Sequence, residues 1–310
     1  MIETDKKIAV SIIIVNYKTS NLIIDCIKSI KELTQGIDYE IIIVDNNSEP
    51  DFEQRIRNGA LLNNDGNFKF IGLLENIGFG RANNEGIKIA KGKNILFLNP
   101  DTLLASNAIK ILSDYLDKNP KTGACGGNLI NEAGNPIQSY RKILPGLFWE
   151  FNELLNNIPQ NIIYGKIDKF YNQTEKPIKV AFITGADLMV KREVLEKTGL
   201  FCDQFFLYFE ETDLCNRITN AGYSIYNVPE AVIYHLESKS FEIDEAWQSE
   251  FKTKNFETSR KIYYRRNVGR FQRILSDLIY SLLLTSRILM IKNPLKKEYY
   301  ILRKKLFNQR

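Results

Sequence analysis

A short apolar stretch that ends abruptly in polar and turn-forming residues constrains the fold of this chain more than any other feature. Residues 94–98 read NILFL, and Asn99, Pro100 and Asp101 follow directly. An apolar run this short, bounded by turn residues, is typical of a strand buried on both faces of a parallel sheet. Because open α/β sheets bind ligands at the carboxyl ends of their strands, Asp101 is expected beside a crevice. Taken alone, such a turn more often serves only as a helix cap.

The strands that precede this stretch follow the same pattern. Residues 7–15 and 40–44 are apolar, β-branched runs, and each ends in a polar tip that contains Tyr17 or Asp45. Between them, residues 21–31 carry apolar side chains at helical spacing. This alternation predicts an α/β fold with a mostly parallel, Rossmann-like central sheet and helices on both faces.

A glycine-rich segment, ENIGFGRANNEG, occupies residues 75–86 and predicts a turn that leads into a helix over residues 83–90. Small residues let the backbone approach a ligand, and a helix N-terminus beside Arg81 favours an anion. The segment matches neither the G-x-G-x-x-G of dinucleotide-binding domains nor the G-x-x-x-x-G-K-[ST] of P-loops. Both mismatches count against a nicotinamide oxidoreductase and a P-loop enzyme.

Two later stretches carry further candidates. Residues 138–177 are irregular and aromatic-rich, which predicts an insertion or lid over the site, or else a loop packed on the core. Residues 223–228 and 231–234 predict two short strands around Pro229, and the second leads to His235, the single histidine of the chain. A lone histidine is more often structural than a ligand, although neutral imidazole is the commonest metal ligand in proteins.

Three carboxylates open another predicted helix. Glu210, Glu211 and Asp213 follow the aromatic run FCDQFFLYF. Acidic side chains at a helix N-terminus complement the helix dipole, so capping explains them as well as chemistry does. Arg217, four residues after Asp213, is spaced to pair with it on the helix surface.

The basic character of the chain is concentrated in its tail. The net charge is +5, but residues 260–310 contain 14 Lys and Arg against 2 Asp and Glu. Residues 274–291 are mainly apolar but are interrupted by the charged residues Asp277 and Arg287, which favours a helix lying in the interface of an anionic membrane. The alternative is an amphipathic helix docked on the body or at a homodimer seam. Nucleic acid is disfavoured because no reader motif accompanies the charge.

The cysteines and the N-terminus indicate the compartment. Four cysteines lie far apart without a C-x-x-C pair, which favours a reduced, cytoplasmic setting and argues against a zinc cluster or a disulfide framework. The first residues show no secretory signal, so we expect a cytoplasmic protein that is peripheral at the inner face of the cell membrane.

Taken in order, several motifs resemble those of the family 2 inverting glycosyltransferases with the GT-A fold. The motifs are VSIIIVNY, IIIVDNNS, ENIGFGRANNEG, FLNPDT, TGADLMVKREVLEKTGLF, YFEETDLCNRITNAGY and VPEAVIYH. Within that family the chain is most similar to the bacterial rhamnosyltransferases of cell-surface polysaccharide synthesis. The resemblance implies a nucleotide-sugar-binding half at 1–130, an acceptor-binding and catalytic half at 131–260, and a basic helical tail at 261–310.

The resemblance also implies roles for individual residues. The nucleotide sugar is expected to be held by Tyr17, Asp45, Asn76, Arg81, Asn99 and Asp101. Asn99 and Asp101 stand at the two ends of the family's D-x-D motif, in which the first Asp is here Asn. A divalent cofactor, Mg²⁺ or Mn²⁺, would therefore rely on Asp101 and on His235. Asp187 and Glu210 are expected to contact the acceptor.

The expected catalytic base is Glu211, at a position where the family usually has Asp, and Asp213 orients it or is itself the base. The implied reaction moves L-rhamnose from dTDP-L-rhamnose onto a glycan or polyprenyl-linked glycan. Two alternatives stay open: a UDP-hexose or UDP-galactofuranose donor, and a non-catalytic module that only binds sugar nucleotides.

Overall fold

The computed structural model describes residues 7–60, 66–164, 174–236 and 245–309, and it is built around a mixed β-sheet with helices on both faces. The strands are β1 (Val10–Asn16), β2 (Tyr39–Asp45), β3 (Phe68–Gly72), β4 (Asn94–Leu98), β5 (Thr102–Leu104), β6 (Thr122–Ile130), β7 (Tyr140–Arg141), β8 (Ile178–Val180), β9 (Phe182–Ile183), β10 (Asp187–Lys191) and β11 (Ser224–His235).

Helices connect these strands and also form the C-terminal region. They are α1 (Ser20–Leu33), α2 (Phe52–Gly59), α3 (Phe79–Ile89), α4 (Ala108–Lys118), α5 (Leu147–Leu154), α6 (Ile158–Tyr164), α7 (Arg192–Thr198), α8 (Glu210–Asn220), α9 (Glu245–Asn267), α10 (Arg270–Met290) and α11 (Pro294–Asn308).

The central sheet has a parallel half and a mixed half. Its strand order is β3-β2-β1-β4-β10-β6-β11-β5, with β8 beside β11. Strands β1 to β4 pair in parallel, β10 runs antiparallel between β4 and β6, and β6 and β11 are parallel to each other. A separate two-stranded sheet joins β7 to β9. The predicted α/β fold with a mostly parallel, Rossmann-like central sheet is therefore confirmed.

The apolar strands are buried on both faces because successive side chains of a strand point to opposite sides. In β1, Ile12 and Ile14 pack in the core that includes Ile27 of α1, whereas Ile13 and Val15 belong to the core on the other face. All seven residues of β1 are buried. A continuous apolar run is what such a two-sided position requires.

The glycine-rich segment differs from its prediction. Helix α3 begins at Phe79 rather than near residue 83, so Gly80 and Arg81 lie inside the first turns of the helix. A Cβ atom on Gly86 would lie 2.6 Å from Cγ2 of Ile13, which means that α3 packs directly on β1. The glycines are thus needed for close helix–strand packing as well as for the turn.

Strand β11 is also different, because it is one strand rather than two. It runs from Ser224 to His235 with a register shift between Asn227 and Val232 in its pairing with β6. Pro229 lies within this irregularity. A proline has no N–H for the ladder, so it interrupts the pairing without ending the strand.

The aromatic-rich segment 138–177 is more regular than predicted. It contains β7, α5 and α6, and Tyr140 of β7 is fully buried in the core. Residues 165–173, which include Phe170 and Tyr171, lie outside the described residues. Helix α5 packs against α10, so this segment forms a support for the C-terminal helices.

The C-terminal helices dock on the body. Helix α9 continues without a break through residue 260, where the sequence suggests the start of a separate tail. On α10, Tyr280, Leu283 and Leu284 are buried and pack with Leu154 of α5. Within the described ranges, no helix combines the length and the apolar character that crossing a bilayer requires.

Candidate active site

The carboxyl ends of β1, β2 and β4 meet at one edge of the sheet, and a cavity of about 180 Å³ opens there. We call it the sheet-edge cavity. Four of the six residues predicted to hold the nucleotide sugar line it, namely Tyr17, Asn76, Asn99 and Asp101. Strand ends bring these residues together from three separate parts of the chain, which is the geometry expected of a ligand site in an open α/β sheet.

The wall around Asn76 is fixed by hydrogen bonds from Asn46. The side-chain amide of Asn46 donates to Oδ1 of Asn76 at 2.7 Å, and Oδ1 of Asn46 accepts from the backbone N–H of Ile77 at 2.9 Å. Both asparagines follow strands of the parallel half. The loop after β3 is therefore held against the end of β2, and the side chain of Asn76 has a defined position at the cavity.

Gly78 permits the closest backbone approach at this site. Its φ is +90°, and a Cβ atom there would lie 2.4 Å from the carbonyl oxygen of Phe206. The next residue, Phe79, donates its backbone N–H to the same carbonyl at 2.9 Å. Only glycine fits this position, because both its backbone conformation and the available space exclude a side chain.

The other two predicted nucleotide-sugar residues do not line the cavity. Asp45 is buried, and its carboxylate accepts from the Asn16 amide and from the Ser48 backbone N–H, both at 2.9 Å. Arg81 is exposed, and its Nε donates to the carbonyl of Asp203 at 2.7 Å. Asp45 shapes the strand end behind the cavity, whereas Arg81 ties α3 to the loop before α8.

The two predicted metal ligands lie side by side. Nε2 of His235 is 3.3 Å from Oδ1 of Asp101 and 3.4 Å from Nδ2 of Asn99. Pairing of β5 with β11 sets this proximity, because it places His235 opposite Thr102. One carboxylate and one imidazole, both largely buried, suit a divalent cation that takes its remaining ligands from phosphate and water. In the described part of the chain, no three His, Cys, Asp or Glu side chains cluster.

Asp187 lies behind the cavity rather than at its surface. It is fully buried, and its carboxylate accepts a short hydrogen bond from the backbone N–H of Gly127. Burial raises the pKa of Asp187 to about 7, while the Gly127 bond and the nearby His235 act in the opposite direction. This position argues against the predicted direct contact between Asp187 and an acceptor.

The two candidate bases at the start of α8 have different surroundings. Asp213 is fully buried, and its oxygens accept from Nε of Arg217 at 2.9 Å, Nε of Arg266 at 3.2 Å and Nδ2 of Asn267 at 2.9 Å. The predicted pairing of Asp213 with Arg217 is confirmed. Asp213 thus links α8 to α9, and its charge is already balanced within the protein.

Glu211 is partly exposed and faces the turn that precedes β10. A Cβ atom on Gly185 would lie 3.8 Å from Cγ of Glu211, at ordinary van der Waals distance, so this turn lies directly beside the Glu211 side chain. Burial raises the pKa of Glu211. A raised pKa makes a carboxylate a stronger base, which suits removal of a proton from a hydroxyl group.

Glu210 is nearly fully buried beside α3. Burial, together with the adjacent charge of Glu211, raises the pKa of Glu210 to about 8. Two neighbouring carboxylates in a buried setting resist ionising together, so the protonation of one depends on the other. This burial argues against a direct contact between Glu210 and an acceptor.

A second cavity of about 350 Å³ lies across residues 206–209 from the first. We call it the helical cavity. Phe206 and Leu207 line the sheet-edge cavity, whereas Tyr208 and Phe209 line the helical cavity together with Glu211. Its remaining walls come from β7, β9, α5, α9, α10 and α11 and from the turns before β7 and α5. The candidate base therefore faces a different space from the predicted nucleotide site.

Some site residues were not identified from the sequence. Asn46 stands directly after Asp45 in a polar strand tip, so its position was a usable signal. Phe206 gave no such signal, because it lies in an aromatic run that equally suits a core. The helical cavity takes Tyr280 and Arg303 from two C-terminal helices, a region for which the sequence left both a membrane-facing role and docking on the body open.

The family assignment follows from the sequence match over this same region. Residues 11–199, which include the sheet-edge strands and the Asp101 turn, match the profile described as Glycosyl transferase family 2. The chain belongs to this family. The predicted resemblance is confirmed, and family members at modest identity include rhamnosyltransferases.

Curated relatives match only part of their own length. N-acetylglucosaminyl-diphospho-decaprenol L-rhamnosyltransferase of Mycobacterium tuberculosis is 26% identical over 156 residues, which cover 47% of this chain and 48% of that protein. The dTDP-rhamnosyl transferase RfbF of Shigella flexneri is 28% identical over 166 residues, covering 53% and 50%. The chain thus spans about half the length of these curated relatives.

Solved structures share the fold over most of the chain. A mannosyltransferase from Pyrobaculum calidifontis, in complex with GDP-Man and Mn²⁺, superposes with a TM-score of 0.60 at 16% identity and covers 96% of this chain and 86% of its own. TarS 1-349 of S. aureus superposes with a TM-score of 0.53 at 14% identity, covering 97% and 89%. At these identities the likeness shows the GT-A fold.

Proposed function

We propose that the protein is an inverting glycosyltransferase that moves L-rhamnose from dTDP-L-rhamnose onto a glycan or lipid-linked glycan of bacterial cell-surface polysaccharide synthesis. One observation carries the proposal. Asp101, with His235 at 3.3 Å, faces the same cavity as Tyr17 and Asn76, and Glu211 lies on the other side of residues 206–209. The turn at Gly185 lies beside both Phe79 of the sheet-edge cavity and Glu211, so the donor sugar and the acceptor hydroxyl would meet at that turn.

The reaction is a single displacement at the anomeric carbon, and it requires a base for the acceptor hydroxyl and a positive charge near the leaving diphosphate. A divalent cation, Mg²⁺ or Mn²⁺, bound by Asp101 and His235 would supply that charge. Tyr17 and Asn76 line the same cavity and would hold the nucleotide. Glu211 takes the hydroxyl proton onto its carboxylate from the acceptor side.

Glu211 is a better candidate base than Asp213 because of what surrounds each carboxylate. Asp213 accepts hydrogen bonds from two guanidinium groups, so its oxygens are already engaged within the protein. Glu211 lines the helical cavity, and burial raises its pKa. The additional methylene of Glu211 relative to the family's usual Asp extends its reach into that cavity.

The rhamnosyl assignment is supported by relatives whose names include rhamnosyl transfer, in Mycobacterium tuberculosis and Shigella flexneri. The donor nucleotide is the point that an experiment should address first.

Purified protein should be screened by thermal shift against dTDP, UDP, GDP and CDP, each with Mn²⁺ and with EDTA. A site filled at 100 times its dissociation constant stabilises the fold by about 2.7 kcal/mol. We expect the largest shift with dTDP and Mn²⁺, followed by rhamnosyl transfer from dTDP-L-rhamnose. A larger shift with UDP would replace the sugar assignment, and no shift with any nucleotide would overturn the proposed function.

We also propose that α10 holds the protein at an anionic membrane surface. The face of α10 opposite its docked side exposes an apolar stripe of Phe271, Ile274, Leu278 and Leu282, which are 74%, 51%, 58% and 60% exposed. Exposed basic side chains, such as Lys292, lie beyond the end of the helix. Apolar side chains on one face with cations at the flanks are typical of helices that lie in a membrane interface.

Flotation with vesicles in which about one third of the lipid is anionic tests this placement. The double substitution Leu278→Glu and Leu282→Glu should abolish binding, because it places carboxylates on the inserted face. Leu74→Glu is the matched control, since Leu74 is 98% exposed and lies in the loop after β3 rather than on α10. Equal flotation of the double variant and the unsubstituted protein would exclude α10 as the membrane contact.

A further inference from the structure

A third cavity lies at the edge of the sheet opposite the sheet-edge cavity, and the proposed function gives it no role. Its volume of about 540 Å³ is within the usual range of small-molecule sites. We call it the amino-edge cavity, because it lies at the amino ends of β1 and β4. We propose that it binds a small anion that carries a phosphate group, at a site separate from those of the donor and the acceptor.

Backbone contacts fix the wall that carries the charged groups of this cavity. Strand β10 runs antiparallel to β4, so its last residue, Lys191, lies opposite Asn94, the first residue of β4. The next residue, Arg192, donates its backbone N–H to the carbonyl of Lys93 at 3.0 Å and its Nε to the carbonyl of Gly92 at 2.8 Å. Lys191 and Arg192 are therefore held beside the segment that precedes β4.

The charged side chains withdrawn from solvent in this cavity are both cations. Lys191 is only 6% exposed, and its ammonium group donates to the backbone carbonyls of Asn119 and Pro120 at 3.1 and 3.2 Å. Arg192 is half-buried, and its Nη2 atom is buried without a hydrogen-bond partner among the described residues. Neither cation forms an ion pair with any residue that the structure describes.

The exposed charges at the rim of the amino-edge cavity cancel in number. They are three lysines and three carboxylates, namely Lys7, Lys91, Lys93, Asp117, Glu193 and Glu196. One pair among them is close, because Nζ of Lys93 lies 2.6 Å from Oδ1 of Asp117. Solvent screens these exposed charges, whereas the two cations inside the cavity are screened much less. The interior of the cavity is therefore positive although its rim is neutral.

An anion would compensate this buried positive charge. Burial of a cation without a counter-charge is unfavourable, because neutral carbonyl oxygens offset only part of its lost hydration. A phosphate group in the cavity would meet both Lys191 and Arg192, and the unpartnered Nη2 of Arg192 can donate to it directly. Guanidinium groups match phosphate oxygens well in geometry, and hydrogen bonds between charged partners are stronger than those between neutral ones.

The amino-edge cavity can be filled at the same time as the sheet-edge cavity. Strand β4 connects them, since Lys93 at its start lines the first and Asn99 after its end lines the second. No described residue lines both cavities. Substitutions should therefore affect binding at one cavity without affecting binding at the other.

Isothermal titration calorimetry of the full chain with inorganic pyrophosphate tests the inference. Divalent cations are removed from the buffer with a chelating resin, because the proposed donor site uses a metal to hold its diphosphate. We expect saturable binding to the unsubstituted protein. Arg192→Gln should weaken that binding about tenfold, which corresponds to one lost charge-assisted hydrogen bond. Arg192→Lys should restore part of the affinity because the charge is kept.

A second substitution avoids the half-buried position of Arg192. Lys91 is exposed at the rim, and Lys91→Glu should weaken pyrophosphate binding by about fivefold because the charge is reversed. Lys118→Glu on α4 is the matched control, since Lys118 is also exposed and lines none of the three cavities. The control should bind pyrophosphate like the unsubstituted protein.

Malonate, a dianion without phosphorus, is titrated in the same way. We expect it to bind more weakly than pyrophosphate, and binding at least as tight would overturn the assignment of a phosphate ligand. Absence of pyrophosphate binding would overturn the site itself. So would an affinity that neither Arg192→Gln nor Lys91→Glu lowers, because the anion would then be bound by exposed cations elsewhere, such as those of the basic tail.

The thermal shift with dTDP and Mn²⁺ separates this inference from the proposed function. The shift should persist in Arg192→Gln, which also shows that the variant is folded. Asp101→Asn should weaken the shift and leave pyrophosphate binding unchanged. Loss of pyrophosphate affinity in Asp101→Asn would place the anion in the sheet-edge cavity and overturn the inference, whereas a missing dTDP shift in the unsubstituted protein would reject only the donor assignment.

Discussion

The two cavities on either side of residues 206–209 are built in different ways. The sheet-edge cavity takes most of its polar side chains from strand ends in the parallel half of the sheet, and they are mainly amides and one carboxylate. The helical cavity takes its side chains from distant helices, and they are mainly arginines and aromatic rings. Sheet topology determines where the side chains of the sheet-edge cavity lie. The side chains of the helical cavity are instead placed by the docking of helices.

Substitutions in the two cavities are therefore expected to have different effects. Strand ends are fixed by a hydrogen-bonded ladder, so single substitutions at the sheet edge should alter binding without altering the fold. The helical cavity depends on buried ion pairs between α5, α9 and α10, so substitutions there should affect stability as well.

The largest effect is expected at Glu211, which we propose to act in the reaction but not in nucleotide binding. Glu211→Gln removes the proton acceptor but keeps the shape of the side chain, so kcat for sugar transfer should fall on the order of 10²- to 10⁴-fold. The dTDP thermal shift should remain, because Glu211 does not line the sheet-edge cavity. Near-normal turnover would remove Glu211 from the role of base.

Asp213→Asn is the matched comparison for that variant. Asp213 pairs with Arg217 and Arg266, so its loss of charge should lower the free energy of unfolding by about 1–3 kcal/mol. Turnover per folded molecule should fall far less than in Glu211→Gln. The opposite ranking of the two variants in kcat would make Asp213 the base.

The second effect concerns the ion pairs of the helical cavity. Arg260→Met leaves the buried carboxylate of Glu150 without its partner, and the free energy of unfolding should drop by about 3–5 kcal/mol. Urea unfolding measures this, with Arg265→Met, exposed on the same helix, as the control. Similar stability of the two variants would show that the C-terminal helices do not depend on this pair.

The third effect tests the metal ligands of the sheet-edge cavity. Asp101→Asn removes a charged ligand, so the Mn²⁺-dependent part of dTDP affinity should weaken by about 10- to 100-fold while the free energy of unfolding in EDTA changes little. Asp117→Asn, at an exposed site on α4, serves as the control. If Mn²⁺ enhances nucleotide binding equally in both variants, Asp101 is not a ligand.

The smallest effect is a pH dependence of stability. The pKa of Glu210 is raised to about 8 by burial, so the folded state holds a proton that the unfolded state releases between about pH 4 and pH 8. Stability from this group is therefore present at low pH and is lost as the pH rises through that range. Glu210→Gln should remove the loss, raising Tm at pH 8 by about 2–4 °C for each kcal/mol recovered. An identical pH profile of Tm in both proteins would contradict the burial argument.

The sequence was most informative where a residue follows a buried strand. The apolar runs ending at Asn16, Asp45 and Leu98 predicted the parallel half of the sheet, and Tyr17 and Asp101 then had to lie near one another. The same reasoning could not predict that Asp45, which also ends a buried strand, does not line the cavity. Whether a strand-end side chain faces a ligand or its neighbouring strand depends on rotamers, which leave no mark in the sequence.

The residues of the helical cavity were harder to predict from the sequence than those of the sheet-edge cavity. An amphipathic pattern on α10 is compatible with a docked helix and with a membrane-facing helix, and here one face is buried while another is exposed. Docking brings Tyr280 beside Arg260 although 20 positions separate them in the chain. Periodicity identifies the faces of a helix but not what packs against each of them.

The segment 206–209 contributes to both cavities, with Phe206 and Leu207 lining the sheet-edge cavity and Tyr208 and Phe209 lining the helical cavity. Tyr208 and Phe209 hold left-handed backbone conformations, with φ of 72° and 67°, which are uncommon for bulky residues and fix the segment in one path. We expect a donor that displaces Phe206 to move Tyr208 as well, because the two residues are two positions apart in one segment. If donor and acceptor favour the same conformation of this segment, each raises the affinity of the protein for the other by an equal factor. Donor and acceptor preference in this protein are consequently expected to change together.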